Sequence, residues 1–327
     1  MINDVQKIFS IRDDADFEQG AIEIFRHQAI HCAVYQEFLN ALAIQPETVK
    51  HTSEIPFLPI SFFKTHRVIS TLQPAQIEFS SSATTGSVQS IHAVANISIY
   101  EQSFLEAFHR FYGAPENYCF LALLPAYQER TGSSLIYMVD KLISLSTHPE
   151  SGYFLYDHDR LHATLQSLKA MGKKTILIGV TYALLDFIAD FSPEFPDLIV
   201  METGGMKGRR REIIREELHE ILCKGFGVEK IHSEYGMTEL LSQAYSLGDG
   251  QFRCPPWMQV RMRDINDPFS PVPHGRTGGM NIIDLANVNS CSFIATQDMG
   301  RITANGNFEV LGRFDNADIR GCNLLVQ

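Results

Sequence analysis

Six of the nine residues in Phe79-Ser80-Ser81-Ser82-Ala83-Thr84-Thr85-Gly86-Ser87 carry a hydroxyl, and one is glycine. Hydroxyls and tightly turned backbone N–H groups make a multidentate cradle for phosphate. The same composition also suits a solvated polar loop. The stretch is not a phosphate loop of the G-x-x-x-x-G-K-[ST] type. A second segment, His232-Ser233-Glu234-Tyr235-Gly236-Met237-Thr238-Glu239, passes through a turn at Gly236. It offers an aromatic face, a hydroxyl and a carboxylate within five residues. Such a set can stack on a base, touch a phosphate and hold Mg²⁺. A helix start with a Thr–Glu pair has a similar pattern. The third and fourth segments are Ala295-Thr296-Gln297-Asp298-Met299-Gly300-Arg301 and Leu311-Gly312-Arg313-Phe314-Asp315-Asn316-Ala317-Asp318-Ile319-Arg320-Gly321. Each alone reads as a strand end followed by a turn. The order and spacing of all four together ask for more.

The elements that must position these segments can be read from periodicity. Residues 17–42 predict one long amphipathic helix, with Ile22, Phe25, Ala29, Ala33 and Phe38 near helical spacing. Ile55-Pro56-Phe57-Leu58-Pro59 follows and cannot be regular helix. Short apolar runs then alternate with helical stretches. Cys119–Leu124 precedes the helical 133–145, Thr175–Val180 lies between the helical 159–171 and 182–190, and Leu198–Met201 precedes the helical 209–223. Continuous apolar runs between helices mark parallel strands buried on both faces, so the middle is α/β. After about residue 250 the texture turns to short strands, at Gln259–Arg263, Gly279–Leu285, Ser292–Thr296 and Phe308–Leu311. The expected organisation is an α/β body over 1–250, with an N-terminal helical segment, and a small β-rich subdomain over 251–327.

Bulk properties exclude several function classes. The chain has 327 residues, 45% hydrophobic and 20% charged, which is ordinary globular composition. Its formal net charge of −11 gives no general attraction for phosphate backbones, so nucleic acid is not an expected partner. No stretch approaches the roughly 20 apolar residues that span a bilayer, and no signal peptide is apparent; a cytoplasmic location is expected. The six cysteines (Cys32, Cys119, Cys223, Cys254, Cys291 and Cys322) are scattered without paired spacing, which argues against a zinc site or a disulfide framework. His66, His92 and His232 lack metal-ligand spacing. Lys207-Gly208-Arg209-Arg210-Arg211 reads as an exposed helix start, and Phe104, Phe108 and Phe111 read as core rather than a ligand pocket.

Taken together, the four segments resemble the adenylate-forming superfamily of acyl-CoA synthetases, luciferases and peptide-synthetase adenylation domains. Tyr235-Gly236-Met237-Thr238-Glu239 matches that superfamily's aromatic-Gly-x-Thr-Glu motif. Ile55-Pro56-Phe57-Leu58-Pro59-Ile60-Ser61-Phe62-Phe63-Lys64 and Met201-Glu202-Thr203-Gly204-Gly205-Met206-Lys207-Gly208 narrow the resemblance to the acyl-protein synthetase of the bacterial luminescence fatty-acid reductase complex. The resemblance spans essentially the whole chain. It implies that Ser80, Ser81, Ser82, Thr84, Thr85 and Gly86 hold the phosphates of ATP and that Gly204 and Gly205 line the adenine. It also implies that Tyr235 stacks on the base, with Gly236 part of the same nucleotide site, Thr238 contacts phosphate, Glu239 coordinates Mg²⁺, and Asp298 fixes the ribose with Arg313 nearby. The implied fold is the large α/β body of an adenylate-forming enzyme, with parallel-rich sheets and a β-rich subdomain.

Two departures from the superfamily pattern stand out. No lysine follows the hydroxyl loop at Ser87-Val88-Gln89-Ser90. The usual mobile C-terminal domain, with its catalytic lysine, is expected to be absent; Lys64 and Lys207 are candidates for that role. Cys322, in Arg320-Gly321-Cys322-Asn323, sits where the resemblance implies a cysteine that receives the acyl group as a thioester. The expected reaction is ATP-dependent activation of a carboxylic acid, of the fatty-acid class, followed by transfer to a thiol. An acid–CoA or acid–carrier-protein ligase and a non-catalytic nucleotide-binding subunit are the alternatives. The implied partners are the acid and an acyl reductase or carrier protein.

Overall fold

The computed structural model describes residues 6–81, 88–126, 131–204 and 214–314. The chain opens with α1 (Gln6–Phe9), α2 (Asp14–His31) and α3 (Ala33–Ala41). Asp13 starts α2 by accepting the Asp16 N–H at 2.9 Å. The single helix expected over 17–42 is thus two helices, broken at Cys32, whose backbone is extended (φ −96°, ψ 98°). In a straight helix Tyr35 would lie roughly 80° around the axis from Phe25. The break lets the two rings meet edge to face, 6.1 Å apart, against the same core.

The proline-punctuated stretch supplies β1 (Leu58–Pro59), and α4 (Phe62–Thr65) follows. Next come β2 (Ile77–Ser80) and β3 (Ile91–Val94), an antiparallel pair that stands apart from the main sheet. The hydroxyl-rich residues lie between these two strands. Then α5 (Ile97–Tyr112), capped by Asn96, leads into the α/β region: β4 (Cys119–Leu123), α6 (Ser134–Leu145), β5 (Gly152–Tyr153), α7 (His158–Ala170), β6 (Thr175–Val180), α8 (Thr181–Asp190), β7 (Ile199–Thr203), α9 (Arg215–Phe226) and β8 (His232–Tyr235). Strands β5, β4, β6, β7 and β8 lie side by side and parallel, in that order. Every residue of β4 and β6 is buried, as helices on both faces require.

The strands that follow are β9 (Ala244–Ser246), β10 (Phe252–Arg253), β11 (Met258–Arg263), β12 (Gly278–Asp284), β13 (Phe293–Ile302) and β14 (Phe308–Arg313). They continue the same sheet in antiparallel fashion, giving the order β11-β12-β13-β14-β10-β9-β8-β7-β6-β4-β5 among the described residues. The change of texture near residue 250 falls in the turn between β9 and β10, which pair with each other. At the far side β1 adds to β13 in parallel, Leu58 opposite Ile294. The amide of Gln28 on α2 ties in the same region, donating to the carbonyls of Asn287 (3.0 Å) and Val288 (3.2 Å) and accepting from the Ser292 N–H (2.9 Å). Nearby, Ser70 donates to the Val288 carbonyl at 2.8 Å. No helix of the described residues is long and apolar enough to cross a membrane.

Candidate active site

Strand β8 ends where the chain turns at Gly236, and alternation along the strand sends neighbouring side chains to opposite faces. Tyr235 faces the antiparallel end of the sheet. Its hydroxyl donates to Asp298 Oδ2 at 2.8 Å, and its ring meets Phe252 and Phe308 edge-on at 6.0 and 5.7 Å. Asp298 is brought there by the β13–β14 register, which sets it opposite Arg313. Arg313 Nε lies 3.3 Å from Asp298 Oδ1, and the Asp298 N–H donates to Thr296 Oγ1 at 3.1 Å. Burial pushes the Asp298 carboxyl upward from its ordinary range; the Tyr235 hydroxyl, Arg313 and Arg263 oppose that push without cancelling it. Tyr235, Asp298 and Arg313, read from three separate motifs, are therefore in direct contact.

Beyond Gly236 the chain crosses the interior without regular structure, so its polar backbone groups need side-chain partners. They have them. His92 Nδ1 lies 2.9 Å from the Thr238 carbonyl and Nε2 lies 2.8 Å from Ser290 Oγ. The Asn287 amide donates to the Glu239 carbonyl at 2.8 Å. The Leu241 and Ser242 N–H groups both donate to Asp284 Oδ2 at 2.9 Å, and the Ser242 hydroxyl donates to Asp284 Oδ1 at 2.6 Å. Burial lowers His92 to about 4, so the ring is neutral near pH 7, donating from Nδ1 to the carbonyl and accepting at Nε2. Burial likewise raises Asp284 to about 6 against its hydrogen bonds.

The Glu239 side chain reaches the hydroxyl-rich hairpin. Burial raises its pKa, while a hydrogen bond with the Ser90 side chain and the charge of Arg313 pull it back; Asp298 adds to the rise. Ser90 and Ser81 close the stem of the hairpin: the Ser81 N–H donates to the Ser90 carbonyl at 3.0 Å, and the Ser90 N–H donates to Ser81 Oγ at 2.9 Å. Ser80 is held by its own N–H, which donates to the Gly132 carbonyl at 2.7 Å. The stem thus meets Glu239 through Ser90. Ser82, Thr84, Thr85 and Gly86 themselves lie outside the described residues. So do Gly205, Lys207 and Cys322. Gly204 ends β7 with a positive φ of 69°, and its carbonyl accepts from Thr181 Oγ1 at 2.7 Å. Lys64 is exposed on α4, without an ion pair or side-chain hydrogen bond among the described residues; its neighbour Phe63 packs its ring against His92 at 5.5 Å.

Several polar residues around the site carried no weight in the sequence. His92 is one, set aside there for lacking metal-ligand spacing. Glu234 is another: it faces away from Tyr235 and accepts from Thr203 Oγ1 at 2.5 Å, and burial raises it to about 7, with Glu202 adding to the rise. On the face of Ser233, Glu202 is buried with Arg215 and His219. Burial pushes this carboxyl up, but the two basic neighbours outweigh it and hold it low. The one signal available for Glu234 was a carboxylate inside a strand that must be buried.

Comparison with known proteins accords with this geometry. A family model described as acyl-protein synthetase, LuxE, matches residues 12–327. The long-chain-fatty-acid–luciferin-component ligase of Vibrio harveyi is 26% identical over 313 residues, 89% of this chain and 82% of that protein. Among solved structures, an open conformation of 2-hydroxyisobutyryl-CoA ligase with 2-HIB-AMP and CoA superposes with a TM-score of 0.66 at 12% identity, covering 93% of this chain and 70% of that one. ATP-bound MatB from Rhodopseudomonas palustris gives 0.52 at 19% identity, covering 72% of this chain and 47% of that one. The likeness to these structures is one of fold.

Proposed function

The chain belongs to the LuxE family of acyl-protein synthetases, and from that premise we propose that Tyr235, Thr238, Glu239, Asp298 and the hydroxyl loop hold ATP and Mg²⁺ for attack by a fatty-acid carboxylate. The reaction of an acyl-protein synthetase has two halves. A carboxylate oxygen bonds to the α-phosphorus while the bond to pyrophosphate breaks, giving acyl-adenylate. A thiolate then bonds to the acyl carbon and AMP leaves.

The arrangement suits the first half. Asp298 has carboxylate oxygens to accept the ribose hydroxyls, and Arg313 beside it keeps the site from repelling a nucleotide. Tyr235 fixes the Asp298 orientation. The stem of the hydroxyl loop meets Glu239 through Ser90, so in this reading phosphate and carboxylate would share a cation. Among the described residues no three His, Cys, Asp or Glu side chains cluster as a metal cage. Glu239 together with the phosphates of ATP is a donor set that suits Mg²⁺, which is commonly held by one or two carboxylates and substrate phosphates. When bound, the ion would offset charge at phosphorus. The second half falls to Cys322, which lies outside the described residues, with an acyl reductase or carrier protein as the partner served and the cytoplasm as the setting that supplies ATP.

The observation that carries this reading is convergence. Tyr235 and Glu239 stand on one short segment, yet one is bonded to Asp298 on β13 and the other to Ser90 at the loop stem. The test is acid-dependent exchange of labelled pyrophosphate into ATP, scanned across acid chain lengths. Magnesium-dependent exchange with fatty acids is expected; no exchange with any acid would overturn the reading.

A further inference from the structure

Strand register lines up one row of side chains across the sheet, on the face that carries Tyr235. Glu202 on β7 stands opposite Ser233 on β8, and Ser233 stands opposite Ser246 on β9. Ser246 stands opposite Phe252 on β10, and Phe252 opposite Phe308 on β14. Residues opposite one another share a face, and Ser233 shares the face of Tyr235, two residues further along β8. The row thus runs from a buried carboxylate to two buried phenyl rings. The two side chains between them are small, and both serines are fully buried.

Arg215, the first residue of α9, lies across this row. Its Nη1 donates to Glu202 Oε1 and lies 3.3 Å from Ser233 Oγ. The guanidinium carbon sits over the Phe252 ring, 5.3 Å from its centroid. A flat guanidinium can bond a carboxylate at its edge while its charge rests on an aromatic face. The backbone gives way to it: a Cβ on Gly250, whose φ is 64°, would lie 2.7 Å from Arg215 Cδ. Phe252 in turn stacks on Phe308 at 5.4 Å, and both rings meet Tyr235 edge-on. At the other end, Thr181 Oγ1 lies 3.4 Å from Glu202 Oε2 and donates to the Gly204 carbonyl. A buried ion pair adds little net stability over apolar side chains of the same shape, so stability alone is a poor reason for this one.

We propose that Arg215, anchored by Glu202, is a positioning residue for the nucleotide base: it fixes Phe252 and thereby the plane of the Tyr235 ring. This role rests on the adenylation reading above, in which Tyr235 takes the adenine. The bond from the Tyr235 hydroxyl to Asp298 fixes one end of that side chain, yet leaves the ring free to turn about its long axis. The edges of Phe252 and Phe308 remove that freedom. A base stacks on a ring only in the plane the ring presents, so a ring that turns loses part of the contact. Arg215 touches neither phosphate nor acid in this scheme. Its loss weakens ground state and transition state alike, which raises KM and leaves kcat in place.

The test is a double-mutant cycle on the full chain, with Arg215→Met, Phe252→Leu and the two combined. ATP affinity is read by calorimetric titration, and KM and kcat by pyrophosphate exchange with a fatty acid. Arg215→Met is expected to weaken ATP binding about fivefold or more, the scale of one aromatic contact, with kcat within about twofold and KM for the acid unchanged. Phe252→Leu should do the same, and the combined variant should be no worse than Phe252→Leu, because Arg215 acts through that ring. Losses that multiply overturn the proposal, as does unchanged ATP affinity in Arg215→Met or a fall in kcat alone. Should Arg215→Met not fold, Arg215→Lys, which keeps Glu202 paired but lacks the flat face, is read in its place against the same outcomes. A wild-type chain that exchanges no pyrophosphate with any acid counts against adenylation; wild-type exchange with an unaltered Arg215 variant counts against Arg215 alone.

Discussion

Glu239 faces a conflict at the level of a single carboxyl. Burial favours its neutral form, whereas holding a cation requires the ionised one. Ser90 and Arg313 shift the balance toward charge, and a bound cation would complete it. Glu239→Gln keeps the shape and removes the charge. Its Mg²⁺-dependent pyrophosphate exchange is expected to fall at least a hundredfold, with the circular dichroism spectrum of the native fold retained. Exchange at the wild-type rate would remove Glu239 from the metal site. Asp298 is subject to the same burial, and its proposed role is to hold the ribose. Charge-assisted hydrogen bonds contribute about 1.5–3 kcal/mol each, so Asp298→Ala should weaken ATP binding tenfold or more in calorimetric titration. Unchanged affinity would place the ribose elsewhere. In the proposed scheme Cys322 belongs to the second half-reaction alone. Cys322→Ser should leave exchange intact and abolish the hydroxylamine-labile label that radioactive acid and ATP leave on the protein; full label on the variant would mean another acceptor. The residues given these proposed roles could be picked out because each sits in a short motif. The link from Glu202 through Arg215 to Phe252 could not, since it depends on the order of strands, which no residue's neighbours in sequence disclose.

Among the elements, the β2–β3 hairpin has the widest reach. It carries the hydroxyl loop, and His92 on β3 holds the Thr238 carbonyl while Ser90 bonds to Glu239. Two parts of the proposed nucleotide site are thereby fixed to each other by one two-stranded element. His92→Ala should raise KM for ATP and lower kcat together. His92→Asn, whose amide can donate to the same carbonyl, should recover part of the loss in kcat. A purely space-filling role predicts no such difference, because Asn fills the ring's volume poorly. The parallel strands were readable from uninterrupted apolar runs such as Thr175–Val180, where burial on both faces leaves a plain signature. The break at Cys32 was not, because amphipathic periodicity shows which residues face inward but not where two helices must diverge to share a core. Nor was the bracket of Asp284 and Asn287 around residues 239–242, which joins groups more than forty positions apart.

For the molecule as a whole, buried titratable groups set opposing pH dependences. Glu234 is raised to about 7 from 4.5, so its stabilising contribution is full below pH 4.5 and is lost as pH rises through 7. His92 and His232 are both depressed to about 4 from 6.5; their contribution is present above pH 6.5 and is lost as pH falls through 4. Glu234→Gln removes the first dependence only. Its melting temperature relative to wild type should therefore climb between pH 5 and 8, by the equivalent of about 3 kcal/mol. A constant difference across that range would mean that Glu234 ionises freely in the fold. Another feature of the whole molecule bears on how it is made. Beyond its packing on α3, the apolar face of α2 finds partners near residues 287–293, through Gln28 and Phe25 against Phe293, and β1 finds its partner in β13, Leu58 opposite Ile294. A ribosome adding roughly 5–20 residues per second reaches those partners on the order of ten to fifty seconds after α2 emerges. Throughout that interval the first sixty residues present a sticky surface that α2 and α3 close only in part. Nascent chains halted before residue 285 should accordingly be held by chaperones and cut readily by protease within α2, whereas chains halted beyond the folded body should release the one and resist the other.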